Sequence, residues 1–159
     1  IVVGDGVEKR YLEKIAGPTI NIMGYQSMEN VEDLMERCRA FVYTGIEDFG
    51  IAPVEAMAAG APVIALAKGG ILDTVKCFQI DPYNATGVLF QDQTVKSLVD
   101  SIEFFSDKKL WRDMNSELIR NWANSFSVDA FNSGLEKALN RAWRLFKHSC
   151  DIDTSDLKT

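Results

Sequence analysis

Glu47-Asp48-Phe49-Gly50-Ile51-Ala52-Pro53-Val54-Glu55 decides how this chain is read, because of what stands on either side of it. Before it, Ala40-Phe41-Val42-Tyr43-Thr44 is a short apolar run of the kind that forms a buried strand. After it, the residues from Pro53 to Ala59 predict a helix that opens on proline and stops at Gly60. Strand, tight loop and helix N-terminus thus follow in order. In an open parallel α/β sheet such a loop lies at the carboxyl end of the strands, where ligands bind, and the first amides of the helix have no internal acceptor. Those amides and the helix dipole suit a phosphate. The two glutamates do not, since carboxylate repels phosphate; they suit hydroxyl groups, whose hydrogens they accept. A diphosphate carried between two polyhydroxylated groups meets both demands, which is the chemistry of a nucleoside-diphosphate sugar.

Outward from this stretch the chain alternates strand and helix. Strands are predicted near Ile1 to Gly4, Thr19 to Met23, Ala40 to Thr44, Pro62 to Leu66 and Gly87 to Phe90. Helices fall between them, near Glu8 to Ala16, Met28 to Arg39, Pro53 to Ala59 and Ile71 to Val75. Residues 76–86, with Pro82 and Asn84, read as loop. This is the pattern of an α/β protein, a Rossmann-like three-layer α/β/α arrangement with one parallel, doubly wound sheet. Beyond Phe90 the pattern becomes helical, with a helical segment over 94–148 and a tail over 149–159. Val95, Leu98, Val99, Ile102 and Phe105 make one apolar face, and Leu110, Met114, Leu118, Trp122 and Phe126 another. A third stripe runs through Phe131, Leu135, Leu139, Trp143 and Phe146, and its simplest reading is packing on its own domain.

Composition narrows the function classes. The 159 residues are 47% hydrophobic, enough for one domain with a core. A formal net charge of -6 speaks against nucleic acid, whose partners carry basic stripes. No apolar run approaches the ~20 residues of a membrane span and no signal peptide is evident, so a cytoplasmic location is expected. The 3 cysteines, Cys38, Cys77 and Cys150, are far apart and fit neither a disulfide framework nor a zinc site. The lone histidine, His148, has no acid or nucleophile in register and reads as a solvated helix-end residue.

Smaller motifs leave two readings each. Gly4-Asp5-Gly6 after a strand has the start of a dinucleotide fingerprint, but position 9 is Lys where the third glycine belongs, and a tight strand-to-helix turn explains it as well. Gly69-Gly70 could cradle a phosphate through its amides or simply open a short helix. Taken alone, Glu47 could be a surface carboxylate and Glu55 one favoured by the helix dipole.

The longer run changes that balance. Glu47 through Gly50, then Glu55-Ala56-Met57-Ala58-Ala59-Gly60-Ala61-Pro62-Val63-Ile64-Ala65 and Gly69-Gly70, resembles the donor-binding signature of the retaining glycosyltransferases of GT-B fold, family 4. Val2-Val3-Gly4-Asp5-Gly6 and Asn21-Ile22-Met23-Gly24-Tyr25 resemble the strands that precede it there, and the likeness covers most of residues 1–126. Asp73 departs from it, since the family usually has Glu at that place.

The resemblance implies one half of a GT-B fold: the C-terminal nucleotide-sugar-binding domain over 1–159, without the N-terminal acceptor-binding domain and without the first strand and helix, where the family carries an Arg and Lys pair for the diphosphate. It further implies that Glu47 touches the transferred sugar and acts in catalysis, and that Glu55 holds the ribose. Phe49, Gly50, Ile51 and Ala52 would lie at the sugar-phosphate junction, and Gly24, Tyr25 and Val31 near the base. The donor would be a UDP- or GDP-linked sugar, with no metal and no further cofactor required. The expected reaction is hexosyl transfer to an acceptor hydroxyl with retention, in polysaccharide or glycoconjugate synthesis. By the same resemblance the last helix crosses back to the partner half, and any membrane contact belongs to that half. The isolated chain is then expected to be inactive. Two rival readings stand beside this one: a non-catalytic nucleotide-binding or regulatory module, and a sugar-nucleotide epimerase acting without an acceptor.

Overall fold

All five expected strands form. β1 (Val2–Val3), β2 (Ile22–Gly24), β3 (Phe41–Tyr43), β4 (Val63–Leu66) and β5 (Gly87–Phe90) alternate with α1 (Lys9–Ile15), α2 (Met28–Arg37), α3 (Ile51–Ala58) and α4 (Ile71–Thr74). The computed structural model describes the backbone of residues 1–152 and the side chains of residues 1–148. Pairing is parallel throughout, as βαβ connections require. One expectation needs correcting: the strands divide into two sheets, β1 beside β2 and a second sheet in the order β3-β4-β5. β1 pairs only with β2 and β3 only with β4, so among the described residues each keeps one open edge.

The core explains why the second sheet dominates. Val63, Ile64, Ala65 and Leu66 of β4 are all buried, as central parallel strands covered on both faces should be. Val88 and Phe90 of β5, Met57 of α3 and Ile71 of α4 pack around them. Truncating a wholly buried side chain such as Leu66 to alanine removes ~2–5 kcal/mol. By contrast β1 is exposed along its length, and Val42 of β3 is exposed as well.

The later chain is helical as expected, in four pieces: α5 (Val95–Asp107), α6 (Leu110–Asp113), α7 (Ser116–Asn124) and α8 (Val128–Ile152). Thr94 caps α5 by accepting from the Ser97 amide at 3.2 Å, and Asn115 caps α7 through the Glu117 and Leu118 amides. Phe105, Leu110, Met114, Ile119 and Ala123 complete the core. Trp122 donates its ring N–H to the Thr74 carbonyl at 2.7 Å, tying α7 to the end of α4.

Two further expectations fail at the C-terminus. α8 runs on to Ile152, so helix occupies the start of the segment read as a tail; residues 153–159 and the Cys150 side chain lie outside the described residues. The apolar stripe of α8 does not pack on its own domain: Phe131 is 66% and Trp143 57% exposed. Its ring contact joins Trp143 to Phe146 within the helix itself. His148 is exposed at the helix end, as expected.

Candidate functional site

The loop from Thr44 to Gly50 leaves the carboxyl end of β3 and turns into α3 at Gly50, whose φ of 86° lies in the left-handed region that glycine tolerates best. α3 consequently begins at Ile51, before the expected start at Pro53. Proline therefore stands inside the first turn, where its missing N–H leaves no bond unmade. The first helical bond runs from the Val54 amide to the Gly50 carbonyl at 3.3 Å. Among the described residues the amides of Gly50, Ile51 and Ala52 meet no protein acceptor, so the helix presents three adjacent donors at its positive end.

Three long-range contacts hold this loop. Gln93 donates to the Thr44 carbonyl at 3.1 Å. The Gly70 amide donates to the Glu47 carbonyl at 2.8 Å. The Phe49 ring meets Phe126 edge-on at 5.8 Å between centroids. Gly69-Gly70 is thereby explained as a packing device. A Cβ on Gly69 would strike the Glu47 carbonyl oxygen, and one on Gly70 would lie 2.6 Å from the Phe49 Cα. The Gly70 amide is occupied by Glu47 and cannot serve a phosphate, while its residue opens α4.

The Glu47 carboxylate is exposed and stands beside the Tyr43 hydroxyl. A hydrogen bond from the phenol to that carboxylate, with some loss of hydration and the nearby negative charge, pushes Tyr43 up to about 12. The half-buried Tyr43 ring folds back over Gly45, where a Cβ would come within 2.8 Å of the hydroxyl oxygen.

Glu55 lies one helical turn beyond Ile51, roughly 6 Å along the axis. It faces a cavity of about 530 Å³ between α2 and α3, whose wall also includes Tyr25 and Val31. Three of the expected residues are thus brought together there. Gly24 is buried at the end of β2 with a φ of 70°, adjoining Tyr25, and its missing Cβ leaves space for the Lys9 ammonium. Glu47, Phe49, Gly50, Ile51 and Ala52 do not line the cavity; they form the loop and helix start at the other end of the first turn of α3. Glu32 and Glu36 of α2 are wall residues that the sequence reading missed, as are Met28 and Met35. Met28 and Met35 stand three and four residues from Val31, Glu32 stands four from Met28, and Glu36 four from Glu32; those spacings are the signal that could have found them. Among the described residues no group of His, Cys, Asp and Glu is arranged to hold a metal ion, and no helix is long and apolar enough to cross a membrane.

The sequence pattern of the family described as Glycosyl transferases group 1 matches residues 1–125. An alpha-1,3/1,6-mannosyltransferase of Candida glabrata is 30% identical over 136 residues, 82% of this chain and 28% of that protein. A sucrose synthase of Melioribacter roseus is 25% identical over 83% of this chain and 16% of its own length. Among solved structures, a sucrose-phosphate synthase from Thermosynechococcus elongatus superposes with a TM-score of 0.68 at 24% identity, over 90% of this chain and 38% of the other. The Anabaena protein HepE, solved with UDP-glucose, gives 0.67 at 22% identity, over 87% of this chain and 40% of its own. The chain spans well under half the length of each of these relatives. The chain belongs to the glycosyl transferases group 1 family, as the Rossmann-like C-terminal half of a GT-B fold.

Proposed function

We propose that this chain binds the donor of a retaining hexosyltransferase, a UDP- or GDP-linked sugar whose hexosyl group passes to an acceptor hydroxyl. The observation that carries the reading is the geometry of α3: three free amides at its start, Glu47 just before them, and Glu55 one turn later beside a cavity of nucleoside size. In this reading the diphosphate rests on Gly50, Ile51 and Ala52, with Phe49 fixing the loop through Phe126. Glu55 accepts from the ribose hydroxyls, Gly24, Tyr25 and Val31 border the base, and Glu47 accepts from hydroxyls of the sugar being transferred. Support comes from the mannosyltransferase and sucrose synthase among the relatives and from HepE having been solved with UDP and with UDP-glucose. The donor is the only small molecule required.

As the leaving diphosphate gains charge, the helix amides and dipole stabilise it without rearrangement. The acceptor is bound by an N-terminal acceptor-binding domain of the same enzyme, acting in polysaccharide or glycoconjugate synthesis in the cytoplasm. Alignment between two walls is worth ~7–11 kcal/mol, so the chain by itself binds donor but transfers nothing. The test incubates the intact protein and the 159-residue chain with labelled nucleotide sugars and an acceptor panel. Transfer with retained anomeric configuration is expected from the intact protein alone.

A second reading, a nucleotide-binding module without catalysis, is favoured by one feature: Glu47 and Glu55 both stand on open surface among the described residues. Binding of nucleotide by the intact protein with no transfer to any acceptor would select it.

A further inference from the structure

The cavity beside Glu55 has a lining of two chemistries. The apolar part of its lining comes from Met28, Val31 and Met35 of α2, Ala58 at the end of α3 and Ala59 just after it. The charged groups are all of one sign: Glu32, Glu36 and Glu55, without any lysine or arginine. Among the described residues none of these three carboxylates has a hydrogen-bond or ion-pair partner. The contrast within α2 is informative, since Asp33 is paired with Arg37 while Glu32 and Glu36, one turn apart, are left unneutralised at the cavity wall. The Ser27 hydroxyl caps the helix, so these glutamates are not needed as caps.

Resting on the donor-site reading above, we infer that this cavity selects guanine, so that the donor is a GDP-linked sugar, with Glu32 and Glu36 as the residues that set the choice. A carboxylate accepts and cannot donate. Guanine offers adjacent ring N–H and amino N–H groups along one edge, which match the two oxygens of a carboxylate as a parallel, charge-assisted pair. Uracil offers a single N–H flanked by two carbonyl oxygens, which face a carboxylate with like partial charge. Adenine and cytosine set an acceptor nitrogen beside their amino group and meet the same repulsion. A purine also covers more of the apolar lining, where the methionine sulfurs make favourable contacts with an aromatic ring. Sites built to receive hydrogen-bond donors reject analogues that lack them much more strongly than apolar pockets reject a missing methylene.

The experiment measures equilibrium binding of GDP, UDP and inosine diphosphate to the intact protein and to its Glu32→Gln, Glu36→Gln and Glu55→Gln variants. Inosine diphosphate keeps the purine and the ring N–H but lacks the amino group, so it separates edge recognition from size. GDP is expected to bind at least about tenfold more tightly than UDP and clearly more tightly than inosine diphosphate. Glutamine keeps the size of the side chain but replaces one accepting oxygen with a donor. In Glu32→Gln or Glu36→Gln the preference for GDP over UDP should fall at least about fivefold, while Glu55→Gln weakens all three nucleotides alike. Melting curves confirm that these surface variants stay folded. UDP binding as tightly as GDP, equal binding of GDP and inosine diphosphate, or a preference unmoved in both α2 variants would overturn the inference and leave the donor site standing. If none of the three nucleotides binds, the donor site itself falls, and the inference with it.

Discussion

The Gly70 amide donates to the carbonyl oxygen of Glu47 across 2.8 Å, joining the loop that follows β4 to the loop that presents the first glutamate. Two backbones meet here without a side chain between them. The glycine pair therefore sets where the Glu47 backbone stands, since a Cβ at either position would meet the backbone of the 47–49 loop.

Gly70→Ala should be the more damaging of two glycine substitutions. Its Cβ would come 2.6 Å from both the Asp48 carbonyl carbon and the Phe49 Cα, which are backbone atoms and cannot rotate away. The expected loss is about 3 kcal/mol, the upper part of the range for overpacking. At Gly50 a Cβ would find ordinary contact, 3.4 Å from Ile71, so Gly50→Ala costs only the left-handed conformation, about 1 kcal/mol. Urea unfolding of both variants checks the order, and equal midpoints would contradict it.

Tyr43 supplies a pH signature for the pairing with Glu47. Of 4 tyrosines in the chain, one should ionise near pH 12, above the usual value of about 10. Because the folded pKa is raised, the stabilisation is complete below about pH 10 and disappears as pH climbs through about 12. Ultraviolet absorbance titration should show the late step, and Glu47→Gln should move it down toward 10. A late step that survives in Glu47→Gln would break the link between the two residues.

The two glutamates should separate nucleotide from sugar recognition. A hydrogen bond to a charged group is worth ~1.5–3 kcal/mol, so Glu55→Ala should weaken nucleoside-diphosphate binding by ~10- to 150-fold. Glu47→Gln should leave that affinity unchanged and lower turnover in the intact enzyme. Calorimetry beside steady-state kinetics distinguishes them; matching losses of affinity in both variants would mean a structural role for Glu47.

The exposed stripe of α8 makes a prediction about stability. Leu139 and Trp143 are 61% and 57% exposed, so Leu139→Asp and Trp143→Asp should each change the unfolding free energy of the chain by less than ~0.5 kcal/mol. A drop of several kcal/mol in thermal or urea denaturation would show that this stripe is covered by its own domain in solution.

Much of the fold is legible in the amino-acid sequence alone. The apolar runs at 40–44, 62–66 and 87–90 specify strands because a strand covered on both faces needs an unbroken hydrophobic sequence, and β4 and β5 are buried at every residue. Periodicity likewise places α1 and α2 within a residue or two of where they lie. The run from Glu47 to Glu55 marks the candidate site, because strand, loop and helix start are consecutive in the chain and short-range rules govern all three.

What the tertiary structure alone decided involves contacts between residues distant in sequence. Whether Gly69-Gly70 serves a phosphate or a neighbouring loop depends on the carbonyl of Glu47, and which way Phe49 is held depends on Phe126. The place of Glu32 and Glu36 is hidden for the same reason: a glutamate on a helix reads as solvated until a second helix, here α3, closes a cavity beside it. The division into two sheets and the bare face of α8 are also beyond periodicity, which reports that a surface is apolar but not what lies against it. Local sequence sets the elements because backbone geometry and burial pattern are short-range; the site is assembled by hydrogen bonds and packing between elements, and only the folded chain brings those partners within reach.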